Sequence, residues 1–154
     1  MSIDIDVEGA GWDGLPGLEG LAQQMMTAAL PALGMHEDSV AVSILFTDDE
    51  SVARINGEWR GKDYATNVLS FPAENMPLPP GEPQPLGDIV LASGVVAREA
   101  EAQGKTLRDH TIHLMIHGLL HLAGYDHEDD KDAAVMEALE TQILKGLGIS
   151  DPYE

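Results

Sequence analysis

The sequence predicts an α/β fold in which about five helices pack against a mixed sheet of four strands. Two observations carry this. Four short apolar runs, some alternating and some continuous, have the length and bounds of strands, and longer segments carry helical apolar spacing or capping residues. Their order, β-α-β-α-β-β-α-α-α, interleaves the two kinds along the chain, as helices laid on a sheet require.

Ile3, Ile5 and Val7 alternate with polar residues and make the first strand. Over 15–33, Leu18, Leu21, Met25, Ala28 and Ala29 recur at helical spacing, and Pro31 with Gly34 closes the helix. Val40, Val42, Ile44 and Phe46 share one face of a second strand. Thr47 and Glu50 have capping-box spacing and start a short helix toward Trp59. Val68-Leu69-Ser70-Phe71 is a third strand, ended by Pro72, and 86–92 is a fourth, aliphatic and buried. The segment 72–87 between them holds six of the nine prolines, the composition of a functional or mobile loop. Ser93 is placed to cap a helix to about Gln103, and Thr106 to cap the next, which runs to Ala123. A last helix covers 130–145 with Val135, Leu139, Ile143 and Leu147 as its apolar stripe, and ends at Gly146 and Gly148.

The length fits a single domain over 1–154, and 44% apolar residues are enough to fill a core. Cysteine is absent, which removes disulfides and thiolate metal sites. The first residues have neither the basic start nor the apolar run of a signal peptide, and no run of about 18 apolar residues exists to span a membrane. A cytoplasmic protein with no membrane partner is expected. The net charge of −19 argues against gripping nucleic acid by bulk electrostatics, and no DNA partner is expected. The distribution says more. Residues 1–53 contain no Lys or Arg, and six of the eight basic residues lie between Arg54 and Arg108. Screening over roughly 8 Å lets a local basic site coexist with an acidic body.

Five of the six histidines fall between 110 and 127. His117 and His121, four apart on a helix, project from one face about 6 Å apart along the axis, so two imidazoles can converge on one ion. Gly124 can end the helix in a left-handed conformation and let His127 swing back as a third nitrogen. Three neutral nitrogens leave the fourth position of zinc open, the catalytic arrangement, with one ion per chain. His113 lies on the same face, but residues 113 and 121 are about 12 Å apart along the helix, too far to share that ion. It reads as a packing or ligand-supporting residue, or as a substrate contact. His36 and His110 receive no role.

The spacing H-x-x-x-H-x-x-G-x-x-H is also that of metzincin proteases, where a Glu after the first His takes a proton from water. Here that position is Gly118, which cannot serve as a base. The run His117-Gly118-x-Leu120-His121-Leu122-x-Gly124-Tyr125-Asp126-His127 instead resembles the signature of the YbeY family, bacterial ribosomal-RNA maturation endoribonucleases. The resemblance extends to Asn56-x-x-Trp59-Arg60-Gly61-Lys62-Asp63, to Thr66-Asn67-Val68-Leu69-Ser70-Phe71-Pro72, to Leu86-Gly87-Asp88-Ile89 and to Met136-Glu137-Ala138-Leu139-Glu140, covering about 40–154. It implies a zinc-dependent, single-strand-specific endoribonuclease of small-subunit ribosomal RNA processing and quality control. It also implies zinc on His117, His121 and His127, and a functional arginine at Arg60. Two positions depart from the family's usual residues: Asn67, where Asp is common, and Trp59, where Tyr is frequent.

Zinc so held supplies an acidic water and polarises a phosphoryl oxygen. Arg60 adds a planar cationic fork suited to phosphate, and Lys62 a further phosphate contact. Asp126, beside a ligand, can orient an imidazole from behind or cap the turn after Gly124. Asp88 is an open candidate for acid–base work. Two rival functions fit some of the same residues: a non-catalytic, zinc-stabilised assembly factor whose acidic body docks small-subunit ribosomal proteins or other assembly factors, and a metal-dependent hydrolase of another substrate.

Overall fold

The computed structural model describes residues 2–74, 78–126, 128–150 and 152. Along the chain run β1 (Ser2–Val7), α1 (Leu18–Ala32), a 3-10 turn (Glu37–Ser39), β2 (Val40–Thr47), α2 (Asp49–Arg60), β3 (Val68–Pro72), β4 (Gln84–Ala92), α3 (Ser93–Ala102), α4 (Leu107–Leu122) and α5 (Asp130–Gly146). The sheet has the order β1-β2-β4-β3. β1 and β4 flank β2 in parallel, and β3 runs antiparallel to β4 at the edge. This is the expected α/β fold with a mixed four-stranded sheet.

Alternation along the strands splits the apolar residues between two faces. Val40, Val42, Ile44 and Phe46 of β2, with Ile89 and Leu91 of β4, join α1, α4 and α5 in the larger core. Leu69, Val90 and Ala92 face the other way and pack with Val52 of α2. The central element is α4. Between His110 and Leu122 every residue is buried except His113, His117 and His121, which form a stripe one turn apart. A helix apolar almost all round must be enclosed, so the imidazoles mark the line along which it reaches the surface.

Several boundaries differ from the sequence expectation for identifiable reasons. Thr47 does not cap α2. It stays in the ladder opposite Ala92, and Asp48 caps the helix by accepting from the Ser51 amide at 2.7 Å. Ser93 is the first residue of α3 rather than its cap; the Val95 amide is taken by Asp49 Oδ1 of α2 at 3.0 Å. Pro31 lies inside the last turn of α1, which Gly34 closes with φ +70°. Pairing with β2 starts β4 at Gln84, shortening the proline-rich loop. The buried face of α5 is Met136, Glu140, Ile143 and Leu144, while Val135 is 51% exposed. Assigning the stripe from apolar residues alone rotated it away from a buried carboxylate.

No helix among the described residues is long and apolar enough to cross a membrane.

Candidate active site

The site is set by how closely α4 lies on the sheet. A Cβ on Gly118 would come to 3.1 Å from both Ile89 Cγ2 and Ser70 Oγ, tighter than ordinary van der Waals contact. The Ser70 hydroxyl also donates to the Gly118 carbonyl at 3.2 Å. Any side chain here requires Ile89 or Ser70 to give by a few tenths of an ångström. The residue that denies this helix a protease base thus also sits where the helix lies tight against the sheet.

One face of α4 then presents His117 and His121. Their Nε2 atoms are 3.1 Å apart and the rings meet at 79°. Two nitrogens bound to one tetrahedral ion at about 2.0–2.1 Å would lie roughly 3.3 Å apart, so this pair fits a shared cation. Behind them stands Glu140 of α5, fully buried, with its two oxygens on two imidazoles. Oε1 is 2.5 Å from His117 Nδ1, and Oε2 is 3.2 Å from His113 Nε2. A carboxylate on Nδ1 fixes the tautomer whose Nε2 lone pair points outward, as metal-ligating histidines require.

The end of α4 is a Schellman turn. The Gly124 amide donates to the His121 carbonyl at 3.1 Å and the Tyr125 amide to Leu120 at 2.9 Å, with Gly124 at φ +100°. The chain reverses as the spacing requires. His127, the third expected ligand, lies outside the described residues. Among the described residues no group of three metal-binding side chains is found.

Arg60, Lys62, His117, His121 and Asp126 line one open groove of about 720 Å³. Arg60 ends α2, and Gly61, at φ +69°, turns the chain to Lys62. The guanidinium reaches around edge strand β3: Nη2 donates to the Ser70 carbonyl at 2.9 Å and Cζ sits 5.5 Å from the Phe71 ring centroid. One donor and one face are used, leaving other N–H groups at an exposed position. Lys62 and Asp126 are exposed on the same groove.

Two suggested residues stand elsewhere. His113 is not among the groove residues; it supports Glu140 and borders a smaller cavity of about 290 Å³ with Glu99, Lys105 and His110. One turn of helix separates it from His117, which lines both this cavity and the groove. Asp88 is opposite Phe71 in the ladder, which puts it on the α2 face of the sheet, away from the histidines. Strand parity removes it as an acid–base candidate.

Sequence reasoning missed Glu140 and Glu99. Glu99 binds Asn67 Nδ2 at 3.0 Å and His110 Nε2 at 3.0 Å, while Asn67 Oδ1 accepts from the Val68 amide at 2.7 Å. Asn67 therefore anchors the start of β3. Burial lowers the pKa of His110, with Glu99 opposing that shift. The available signal for Glu140 was its place on an otherwise apolar helix face, between Met136 and Ile143–Leu144.

Residues 15–148 match the family model described as Endoribonuclease YbeY. Proteins named Endoribonuclease YbeY from Agrobacterium fabrum and Azorhizobium caulinodans are 50% and 51% identical to this chain. Each alignment covers 99% of this chain, with 95% of the first relative and 96% of the second. The solution structure of a Thermotoga maritima protein superposes with a TM-score of 0.60 at 26% identity, over 95% of this chain and 91% of that one.

Proposed function

This chain belongs to the Endoribonuclease YbeY family, and from that premise we propose that it is a metal-dependent endoribonuclease cutting unpaired RNA in small-subunit ribosomal RNA processing. The observation that carries the metal-dependent part is the pair of Nε2 atoms 3.1 Å apart in the same groove as Arg60. We assign one zinc ion to His117, His121 and His127, in a single catalytic domain working in the cytoplasm. A cation held there supplies Lewis acidity, polarising a phosphoryl oxygen and making water more acidic.

The rest is done by the protein's own groups. Arg60 binds the non-bridging phosphate oxygens with the N–H groups that Ser70 leaves available, so negative charge growing on those oxygens meets a fixed guanidinium. Its placement between the Ser70 carbonyl and the Phe71 ring holds the fork in one orientation before substrate arrives. Lys62 neutralises a neighbouring phosphate. Glu140 keeps the His117 ring turned toward the groove. The acidic body leaves basic small-subunit ribosomal proteins or assembly factors as natural docking partners.

The test is to purify the protein, determine its metal content, and assay single-stranded RNA, duplex RNA and casein with and without chelator. Cleavage of unpaired RNA alone, abolished by chelation or by His121→Ala and restored to the wild type by zinc, is expected. RNA cleavage that survives complete metal removal would end the metal-dependent reading, and casein cleavage would replace the substrate.

A further inference from the structure

Four large apolar side chains are exposed among the described residues: Val7, Trp59, Tyr64 and Val135. The two aromatic ones fall in the stretch 59–64, which also carries Arg60 and Lys62. Trp59 is 74% exposed, in contrast to Trp12, which is 2% exposed and donates to the Thr47 carbonyl at 2.9 Å. Trp12 is a core residue; the indole of Trp59 contributes little to the fold by burial.

Yet Trp59 is held in place. It occupies the last turn of α2, and its ring meets Phe71 at 6.3 Å between centroids and 61° between planes. Phe71 is the ring that also carries the Arg60 guanidinium, and its neighbours Ser70 and Pro72 line the groove. The indole therefore stands beside the groove, braced by the side chain that braces its arginine. We propose that Trp59 receives an unpaired base of the RNA, stacking on it while Arg60 and Lys62 take the adjoining phosphates.

Charge supports this occupant. A chain of net charge −19 offers a polyanion no long-range attraction, and among the described residues Arg60 and Lys62 are the Lys and Arg side chains lining the groove. Binding must draw on a non-ionic source, and stacking of a base on an aromatic ring is one every nucleotide can use. Bases inside a duplex are already stacked and paired, so only an unpaired strand can offer one. The inference rests on the endoribonuclease reading and names the side chain that gives this groove its preference for single strands.

Having just two tryptophans makes the test direct. The protein is titrated with a short unpaired oligoribonucleotide and with a duplex of equal length, following tryptophan emission, with the RNA checked intact by gel afterwards. Quenching by the single strand is expected in the wild type and is lost in Trp59→Phe, where only buried Trp12 reports. Trp59→Ala should weaken single-strand binding by about 5- to 150-fold, the effect of one lost stacked base, and leave duplex binding and the unfolding midpoint unchanged. Trp59→Tyr should recover most of the affinity. Wild-type affinity for the single strand in Trp59→Ala, or equal weakening for both RNAs, would overturn the proposal while leaving the endoribonuclease reading in place. Absence of any RNA binding by the wild type would instead remove that reading.

Discussion

Glu140 holds a carboxylate in the core with both oxygens on imidazoles, and the near-isosteric Gln separates what its charge does from what its shape does. In Glu140→Gln the amide oxygen can still accept from His117 Nδ1–H, so the ring keeps its tautomer, but the second oxygen, which meets His113, is replaced by an uncharged amide NH2. Metal affinity measured by competition with a chromophoric chelator should fall by about 10- to 100-fold, the usual effect of removing such a supporting group. An unchanged affinity would make Glu140 a packing residue. Gly118 gives the complementary case. Gly118→Glu writes the protease base into α4, yet its Cβ would already press on Ile89 and Ser70 at 3.1 Å. Overpacking of this kind costs about 1–3 kcal/mol. The variant should unfold at lower denaturant and show no casein cleavage; full stability would mean that α4 does not depend on its close approach to the sheet.

Among the elements, α4 shows how far a sequence carries the argument. Thr106 was legible as its cap, since the Asp109 amide does bind the hydroxyl at 3.0 Å, and Gly124 was legible as its end. Thr106→Ala should cost about 1 kcal/mol in chemical denaturation, and a loss below about 0.3 kcal/mol would show the first turn secured by other contacts. The convergence of His117 with His121 followed from helical spacing alone. Residues brought together across elements were not legible. Asp49 capping α3, Arg60 wrapping β3 and Glu140 reaching α4 depend on how the layers stack, and no local pattern encodes that. His110 receives no role from the sequence, because nothing in its local spacing points to Glu99 on α3. Its pKa is lowered from 6.5, first by burial and against the pull of Glu99. The unfolded chain therefore takes up this proton at higher pH than the folded one. Stability from this group is present above about pH 6.5 and is lost as pH falls below it. Urea midpoints of the metal-free protein between pH 7 and pH 5 should drop further in the wild type than in His110→Asn. Equal drops would place the sensitivity on other groups.

At the scale of the whole molecule, the question is how a chain of net charge −19 holds a polyanion. The acidic surface is spread over the body, and in the groove Arg60, the last residue of α2, and Lys62, just after it, stand with Asp126 and Glu128. At physiological salt the Debye length is about 8 Å, so carboxylates beyond the groove are largely screened from a bound strand. What remains is a small number of direct phosphate contacts, and the salt dependence of binding counts them. With each neutralised phosphate of a single strand contributing about −0.7, two contacts give a slope of about −1.4 in log K against log salt. Lys62→Ala should bring the slope to about −0.7 while the protein remains folded, because that side chain is exposed. A wild-type slope of about −4 or steeper would mean that several more cations reach the RNA than this groove holds, and the binding surface would have to extend toward Arg98, Lys105 and Arg108. A shallow slope with tight binding fits a protein whose acidic body turns away duplex and non-specific nucleic acid and admits a strand only where it can engage groove and ring together.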